Sequence, residues 1–446
     1  MQVKHFLILF MAVTACFQLS AKTYSLDECI TISIQESEKI KALNEGEKAA
    51  KSGKDSVIFS FLPTAKIEAG YQWLKFDPEP EPVDFSAFFG LPAGSASFGE
   101  MPDKSRTLSI TAVQPITPLW SVSFGYKALE TGHDIAKMQK ELTKDQIRLE
   151  VITLYYNYQM LSESMSILSE TKEQLKRYNS QATNFVNAGL SDKRAVLKIE
   201  IEQAKIDQQI QIIEGNMSLI KKNLSIFMNT ASNDLDIETV KTSEATLTVD
   251  HDELESLMLK NRIEFKMLAK SLAISKHQEM LAVQPFIPSF VLVAGYKKTW
   301  DSSQFQPENT FFFGGSISWD IGFDWGKSAF ELKKAHHQKV RTSLDNVNTK
   351  KMLELQLLQL ENDITTKSGA IEIAKKEVIS ATENLRIEED KYREKLTTET
   401  DLLDASIALR SAKMKLLNSV WEHEVALNRL AITIGSKYSD ISSGGK

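Results

Sequence analysis

Once its first 21 residues are set aside, the chain keeps only one of its two cysteines, Cys29, so no internal disulfide can form. After that point there is also no run of about 18 apolar residues, which excludes a membrane-spanning helix. Surplus positive charge is missing too. The 53 lysines and arginines stand against 59 acids, for a formal net charge of −6, and the basic residues are scattered rather than pooled. That distribution offers no footprint for nucleic acid. The signatures of catalysis are absent as well: there is no phosphate-binding loop, no HExxH and no Ser/His/Asp pattern. No catalytic residue, cofactor or metal site is therefore expected. The only histidine pair, His336-His337, falls within a long polar helix, where it is expected to be solvated. Finally, the stretches 121–188 and 327–395 contain almost nothing that breaks a helix.

The N-terminus reads as an export signal. Lys4 and His5 precede an apolar run over 6–17, and Leu19-Ser20-Ala21 stands before Lys22, so a signal peptide over 1–21 is expected. The alternative is Val13-Thr14-Ala15-Cys16, which resembles a lipobox and would leave Cys16 acylated. An exported chain without an apolar helix can span a membrane only with strands.

The sequence is duplicated. Phe61-Leu62-Pro63 followed by Ala69-Gly70-Tyr71 recurs at the same spacing as Phe286-Ile287-Pro288 and Ala294-Gly295-Tyr296. Further on, 189–197 matches 395–403 and 224–229 matches 430–435. Each copy therefore carries a leading helix, a proline-initiated strand pair, a very long helix and a shorter return helix. The expected division is a first repeat over 22–230 with its hairpin near 64–117, a linker over 231–250, a second repeat over 251–435 with its hairpin near 289–321, and a tail over 436–446.

The leading helices are expected over 25–60 and 252–283, and the return helices over 192–228 and 399–434. Asn229 and Gly435 follow the return helices as left-handed caps. At about 1.5 Å per residue the two long helices could each reach roughly 100 Å. Ile147, Leu154, Leu161, Leu168, Leu175 and Ala182 recur every seven residues, as do Leu357, Ile364, Ile371, Val378, Leu385 and Tyr392. A sustained seven-residue period marks a narrow helix-to-helix seam, with the other faces polar and wet.

The strands are expected over 64–76, 107–116, 289–300 and 310–321, each long enough for a tilted membrane strand of about 9 to 11 residues. Tyr71, Trp73, Trp120, Tyr296, Trp300, Phe311, Phe312, Trp319, Phe323 and Trp325 cluster near strand ends, as in an aromatic girdle. Between the first two strands, 77–105 holds five prolines and reads as an exposed loop. Four strands cannot close a barrel, and open edges in lipid cost several kcal/mol per unsatisfied group. A symmetric ring of chains would close both the sheet and the helices.

The duplication, the two Pro-initiated hairpins, and the turns Asn187-Ala188-Gly189-Leu190 and Tyr392-Arg393-Glu394-Lys395-Leu396 together resemble the outer membrane efflux protein family, the TolC-like channels. The resemblance covers nearly the whole chain after residue 21. It implies an α+β membrane protein in which long antiparallel coiled-coil helices form an α-helical barrel in the periplasm. A homotrimer would supply a transmembrane β-barrel, four strands per chain, in the lipid of the outer membrane of a Gram-negative-type bacterium. It also implies a periplasmic adaptor (membrane fusion) protein and an inner-membrane pump or transporter as partners. The channel would be a passive conduit in a tripartite efflux or type I secretion system, for small molecules or proteins. The alternative from another class is a secreted structural coiled-coil or adhesin, which leaves the aromatic-rich strand pairs unexplained.

Residue by residue, the family's Asp-x-x-Asp pair at the narrow periplasmic tip matches Asp401 and Asp404, three apart and so on one helical face. As the resemblance implies, symmetry would turn them into acidic rings that favour cations. Thr398 and Asp401 also have capping-box spacing, which gives Asp401 a local role. Tyr392 keeps the family's tyrosine, whereas the family's nearby arginine falls on Thr397 and its first-copy acid on Ala195. Arg393 and Lys395 are the gate-adjacent residues placed to supply other contacts.

Overall fold

The computed structural model describes residues 22–73, 75, 83–84, 86–90, 92, 97–98, 104–231, 235–239, 250–300, 307–319 and 322–436. The expected signal segment, nearly all of the tail, and most of the linker and of the 77–105 loop lie outside the described residues.

In chain order the elements are β1 (Lys22–Tyr24), α1 (Leu26–Glu36), α2 (Glu38–Ile58), β2 (Thr64–Trp73), β3 (Lys104–Pro115), α3 (Pro118–Asn187) and α4 (Lys193–Phe227). There follow β4 (Leu235–Ile237), α5 (His251–Asn261), α6 (Ile263–Leu281), β5 (Ser289–Thr299), β6 (Asn309–Ser318), α7 (Phe323–Arg393) and α8 (Glu399–Ile434). The expected single leading helix is broken in both copies. Ser37 ends α1 with an extended ψ of 117°, and its hydroxyl accepts from the backbone of Ile40 at 3.4 Å, opening α2. Arg262 does the equivalent between α5 and α6 with a ψ of 127°. A strand at the very start, β1, pairs in parallel with β4 and was not legible as a strand.

The chain divides into two compact units: Met1–Glu45 with Met138–Lys266 and Asn348–Lys446, and Gly46–Lys137 with Met267–Val347. The first is helical, with the small β1–β4 pair. Its core follows the seven-residue seam: Ile147, Leu168, Leu175 and Ala182 of α3 and Leu357, Ile364, Leu385 and Tyr392 of α7 are buried. Leu154, Leu161, Ile371 and Val378 of the same seam are half-buried. The return helix α8 is the most enclosed, with Trp421, Leu427, Leu430 and Ile434 at 0–2% exposure. At its end Gly435 has φ +69°, and at the matching end of α4 Asn229 has φ +50°. Both are the left-handed caps that stop a helix while returning N–H groups to its last carbonyls.

The second unit carries a four-stranded antiparallel sheet in the order β2-β3-β5-β6, besides a short antiparallel pairing of Val83–Asp84 with Ser97–Phe98. The two hairpins therefore lie side by side, joined through β3 and β5, and leave β2 and β6 as unpaired edges. Opposite residues share a face, so the register sorts the sheet. One face carries Ile67, Tyr71 and Trp73 of β2, Leu108, Ile110 and Ala112 of β3, Phe290, Leu292, Ala294 and Tyr296 of β5, and Phe311, Phe313 and Ile317 of β6. The other carries Lys66, Glu68, Gln72, Thr107, Ser109, Thr111, Lys297, Thr310, Ser316 and Ser318. The apolar face is bare: Ile67, Phe311, Phe313 and Ile317 are 71–82% exposed. Among the described residues no helix is long and apolar enough to cross a membrane.

Candidate functional site

The turn between α7 and α8 gathers the expected site residues. Thr398 is extended and caps α8. Its hydroxyl donates to Asp401 Oδ2 at 2.6 Å and accepts from the Asp401 backbone N–H at 3.3 Å, while the Thr398 N–H reaches the same carboxylate at 3.1 Å. The Thr397 hydroxyl adds a further bond to Asp401 at 3.0 Å. These bonds, the Thr398 hydroxyl first, hold the Asp401 carboxyl below its ordinary range. The capping box is thus complete, and Thr397 has joined it. Asp404 sits one turn on, exposed on the same face between buried Leu403 and Ala405. Asp404 makes no hydrogen bond or ion pair with any described residue.

Tyr392 is 3% exposed and its hydroxyl is buried without a partner among the described residues. Its ring meets Phe185 of α3 edge-on at 5.7 Å between centroids. Lys395 adopts φ +62°, a left-handed conformation that the matching position, Gly189, reaches at +73° with no side-chain cost. The Leu396 N–H then closes on the Lys391 carbonyl at 2.8 Å, and the Leu190 N–H on Phe185 at 2.8 Å. That is the same helix-ending turn in both copies. Lys395 folds its ammonium over the Phe185 ring at 3.2 Å, where burial lowers its pKa against the opposing pull of Glu399. Arg393, by contrast, stays on its own helix beside Asp390 at 3.4 Å. Of the two candidates for replacement contacts, only Lys395 reaches across to the first repeat.

Other ties between the copies escaped the sequence reading. Lys198 of α4 reaches Glu399 at 3.1 Å and the Thr400 hydroxyl at 2.8 Å. Tyr178 of α3 donates a short hydrogen bond to Glu389 of α7 and accepts one from Gln174 at 2.7 Å. Deeper, Arg410 of α8 pairs with Glu202 of α4 at 3.1 Å, the two side chains only 13% and 6% exposed. One sequence signal was available. Under the offset that matches 189–197 to 395–403, Lys198 stands where the second copy has Asp404, so the duplicated turn places opposite charges at matching positions. Ala195, which stands at the position matching Asp401 in the first copy, is buried at 1% exposure. The histidine pair also differs from expectation: His336 is not merely solvated, since its Nδ1 lies 2.7 Å from Glu279, which also accepts from Lys339 at 2.6 Å.

The fold, a helical unit with paired return helices and a four-stranded sheet bare on its apolar face, is similar to that of solved outer membrane channels. Residues 254–436 match the model of the family described as outer membrane efflux protein. None of the curated proteins matches the sequence. Among solved structures, CusC superposes with a TM-score of 0.78 at 12% identity, covering 92% of each chain. The outer membrane protein VceC of Vibrio cholerae gives 0.75 at 15% identity, over 93% of this chain and 96% of that one. The CmeC outer membrane channel of Campylobacter jejuni gives 0.75 at 15% identity, over 94% and 87%. The resemblance read from the sequence is borne out: the second repeat matches the efflux family, and the fold over more than nine-tenths of the chain is that of these channels.

Proposed function

We propose that the chain is the outer-membrane conduit of a tripartite efflux or type I secretion system, closing its sheet as a homotrimer. The observation that carries this reading is the sheet itself. One face is apolar and exposed, the other is hydroxyl-rich, and both edge strands lack a partner on one side. In water the bare apolar face would invite aggregation. In lipid it is the favoured surface, while the polar face suits a water-filled lumen. The free edges must then be satisfied, because hydrocarbon offers no hydrogen bonds. Three copies would pair β6 of one with β2 of the next and remove every edge.

On this reading the helices stand in the periplasm and the turn at Asp401 and Asp404 forms the gate. Asp404 is the main cation-selecting residue, Asp401 chiefly holds the α8 terminus, and Tyr392 with Lys395 anchors the tip to the first repeat. Arg393 borders the gate without bridging it. A periplasmic adaptor and an inner-membrane pump supply recognition and energy, since the channel is passive. The test is single-channel conductance of the detergent-purified chain in a planar bilayer, with mass photometry of the same sample. A trimer with small, cation-selective conductance is expected. A monomer or dimer with no conductance would sink the proposal.

A further inference from the structure

We propose that the end of the sheet's apolar face remote from the helices binds the phosphate groups of an outer-leaflet glycolipid through Lys104, Arg106 and Lys298. The inference rests on the membrane reading of the sheet given above. In the register Lys104 lies opposite Trp73, Arg106 opposite Tyr71, and Lys298 opposite Leu108. The Trp300 N–H donates to the Arg106 carbonyl at 3.0 Å, which sets Trp300 beside Arg106. All three basic side chains therefore share the face of Ile67, Ile110 and Phe311, the face assigned to lipid. Lys298 holds its ammonium 5.2 Å from the centroid of the Trp300 ring. Ala69, Tyr71, Arg106 and Trp300, together with Gly70 and Thr107 of the alternate positions, line an open cleft of about 400 Å³ at this end of the sheet.

Their position along the strands separates these cations from ordinary surface lysines. The other end of the same face, where α2, α3, α6 and α7 attach, carries Ala65, Ala112, Gln114, Phe290 and Ile317 and no basic residue. No acid lies on the apolar face of the described sheet either, since Glu68 is on the opposite face, paired with Lys66. A lysine or arginine toward lipid is strongly unfavourable at the midplane but close to neutral near the interface. Cations confined to one end thus mark one interface. The helices leave the sheet at the opposite end, so with them in the periplasm this interface is the cell-surface one. Its leaflet is anionic through phosphates on a sugar headgroup, and a guanidinium with two ammonium groups suits paired phosphates. Tyr71, Trp73 and Trp300 supply the amphipathic rings that settle at a headgroup boundary.

The test uses the full-length chain purified in detergent and titrated in native mass spectrometry with diphosphoryl lipid A, its dephosphorylated form, and phosphatidylglycerol. Each basic residue near an anionic surface contributes on the order of 1 kcal/mol, so the phosphorylated glycolipid should bind about 10- to 100-fold more tightly than the dephosphorylated one. The variant Lys104→Gln/Arg106→Gln/Lys298→Gln should lose that preference and still conduct in a planar bilayer. Equal binding of both glycolipids by the unaltered chain would overturn the site without reference to any variant, and the conduit would stand if the same sample conducts. Phosphatidylglycerol binding as tightly as lipid A would overturn the glycolipid assignment. A chain that neither inserts nor conducts would overturn both readings.

Discussion

The ammonium of Lys395 rests 3.2 Å above the centroid of the Phe185 ring, so the turn that opens the last helix of the second repeat is tied to the long helix of the first. The tie is made by a residue in a left-handed conformation that costs a side chain roughly 1–2 kcal/mol, while a cation over an aromatic face returns about 0.5–2 kcal/mol depending on desolvation. The two nearly cancel. Lys395→Gly should therefore leave thermal stability within about 1 kcal/mol of the parent yet free the tip, raising open probability in single-channel recordings. Lys395→Ala keeps the backbone cost and loses the contact, so it should be the less stable of the two. If the two variants unfold at the same temperature, the strain argument fails.

Asp401 and Asp404 are separable although they share a face. Asp401 is committed to Thr397 and Thr398, so Asp401→Ala should lower the unfolding temperature, whereas Asp404→Asn should leave it unchanged. Selectivity should move the other way, with cation preference in planar bilayers falling more for Asp404→Asn. The pH dependence follows from the lowered Asp401 pKa. Its contribution to stability is complete above the ordinary carboxylate value of about 4 and is lost as pH falls through the lower folded value. Asp401→Asn should flatten that part of the acid limb of a stability–pH curve.

The Arg410–Glu202 pair is a strong internal tie between α8 and α4 because both side chains are nearly buried. Removing Arg410 leaves Glu202 to Lys205, which pairs with its other oxygen at 3.1 Å, so Arg410→Ala should destabilise by about 1.5–3 kcal/mol, the worth of a charged hydrogen bond. Replacing both, as in Glu202→Leu/Arg410→Met, should recover most of the loss, since a buried ion pair and a packed apolar pair differ little in net stability. The measurement is a double-mutant cycle on the thermal unfolding of detergent-solubilised protein. Additive losses would mean that the pair is not a unit.

The features legible in the sequence were those with a period or a repeat. Alternation gave the four strands, the seven-residue spacing gave the seam, and the Asn229 and Gly435 positions gave the ends of the return helices. The breaks at Ser37 and Arg262 were missed because neither residue is a helix breaker: Ser37 acts by capping, and Arg262 by an extended backbone. The pairing of β3 with β5 was equally hidden, since strand order is a long-range choice that neither hairpin encodes by itself. At the α7–α8 turn, Asp401, Asp404 and Tyr392 came from the resemblance to the efflux family, but Phe185, Lys198 and Glu389 did not. Their roles arise from contacts between copies, which no local spacing records.

Gly295 marks the closest approach within the sheet. A Cβ there would stand 2.7 Å from the Ile110 carbonyl oxygen and 2.9 Å from Cε1 of Phe312, which lies over it on the polar face. The ring covers a glycine that would otherwise leave strand backbone bare, a pairing known to support sheets. A rotating side chain could relieve the second contact but not the first, which is backbone of the neighbouring strand. Gly295→Ala should thus destabilise by about 1–3 kcal/mol, and adding Phe312→Ala should not rescue it. Gly70 is the repeat-related position, and there a Cβ would meet only the Thr107 hydroxyl, at 2.8 Å. That hydroxyl can turn aside, so Gly70→Ala should be far milder. Heat-modifiable migration on gels would report the yield of assembled sheet for the three variants. Rescue of Gly295→Ala by Phe312→Ala would place the constraint on the ring rather than on the strand backbone.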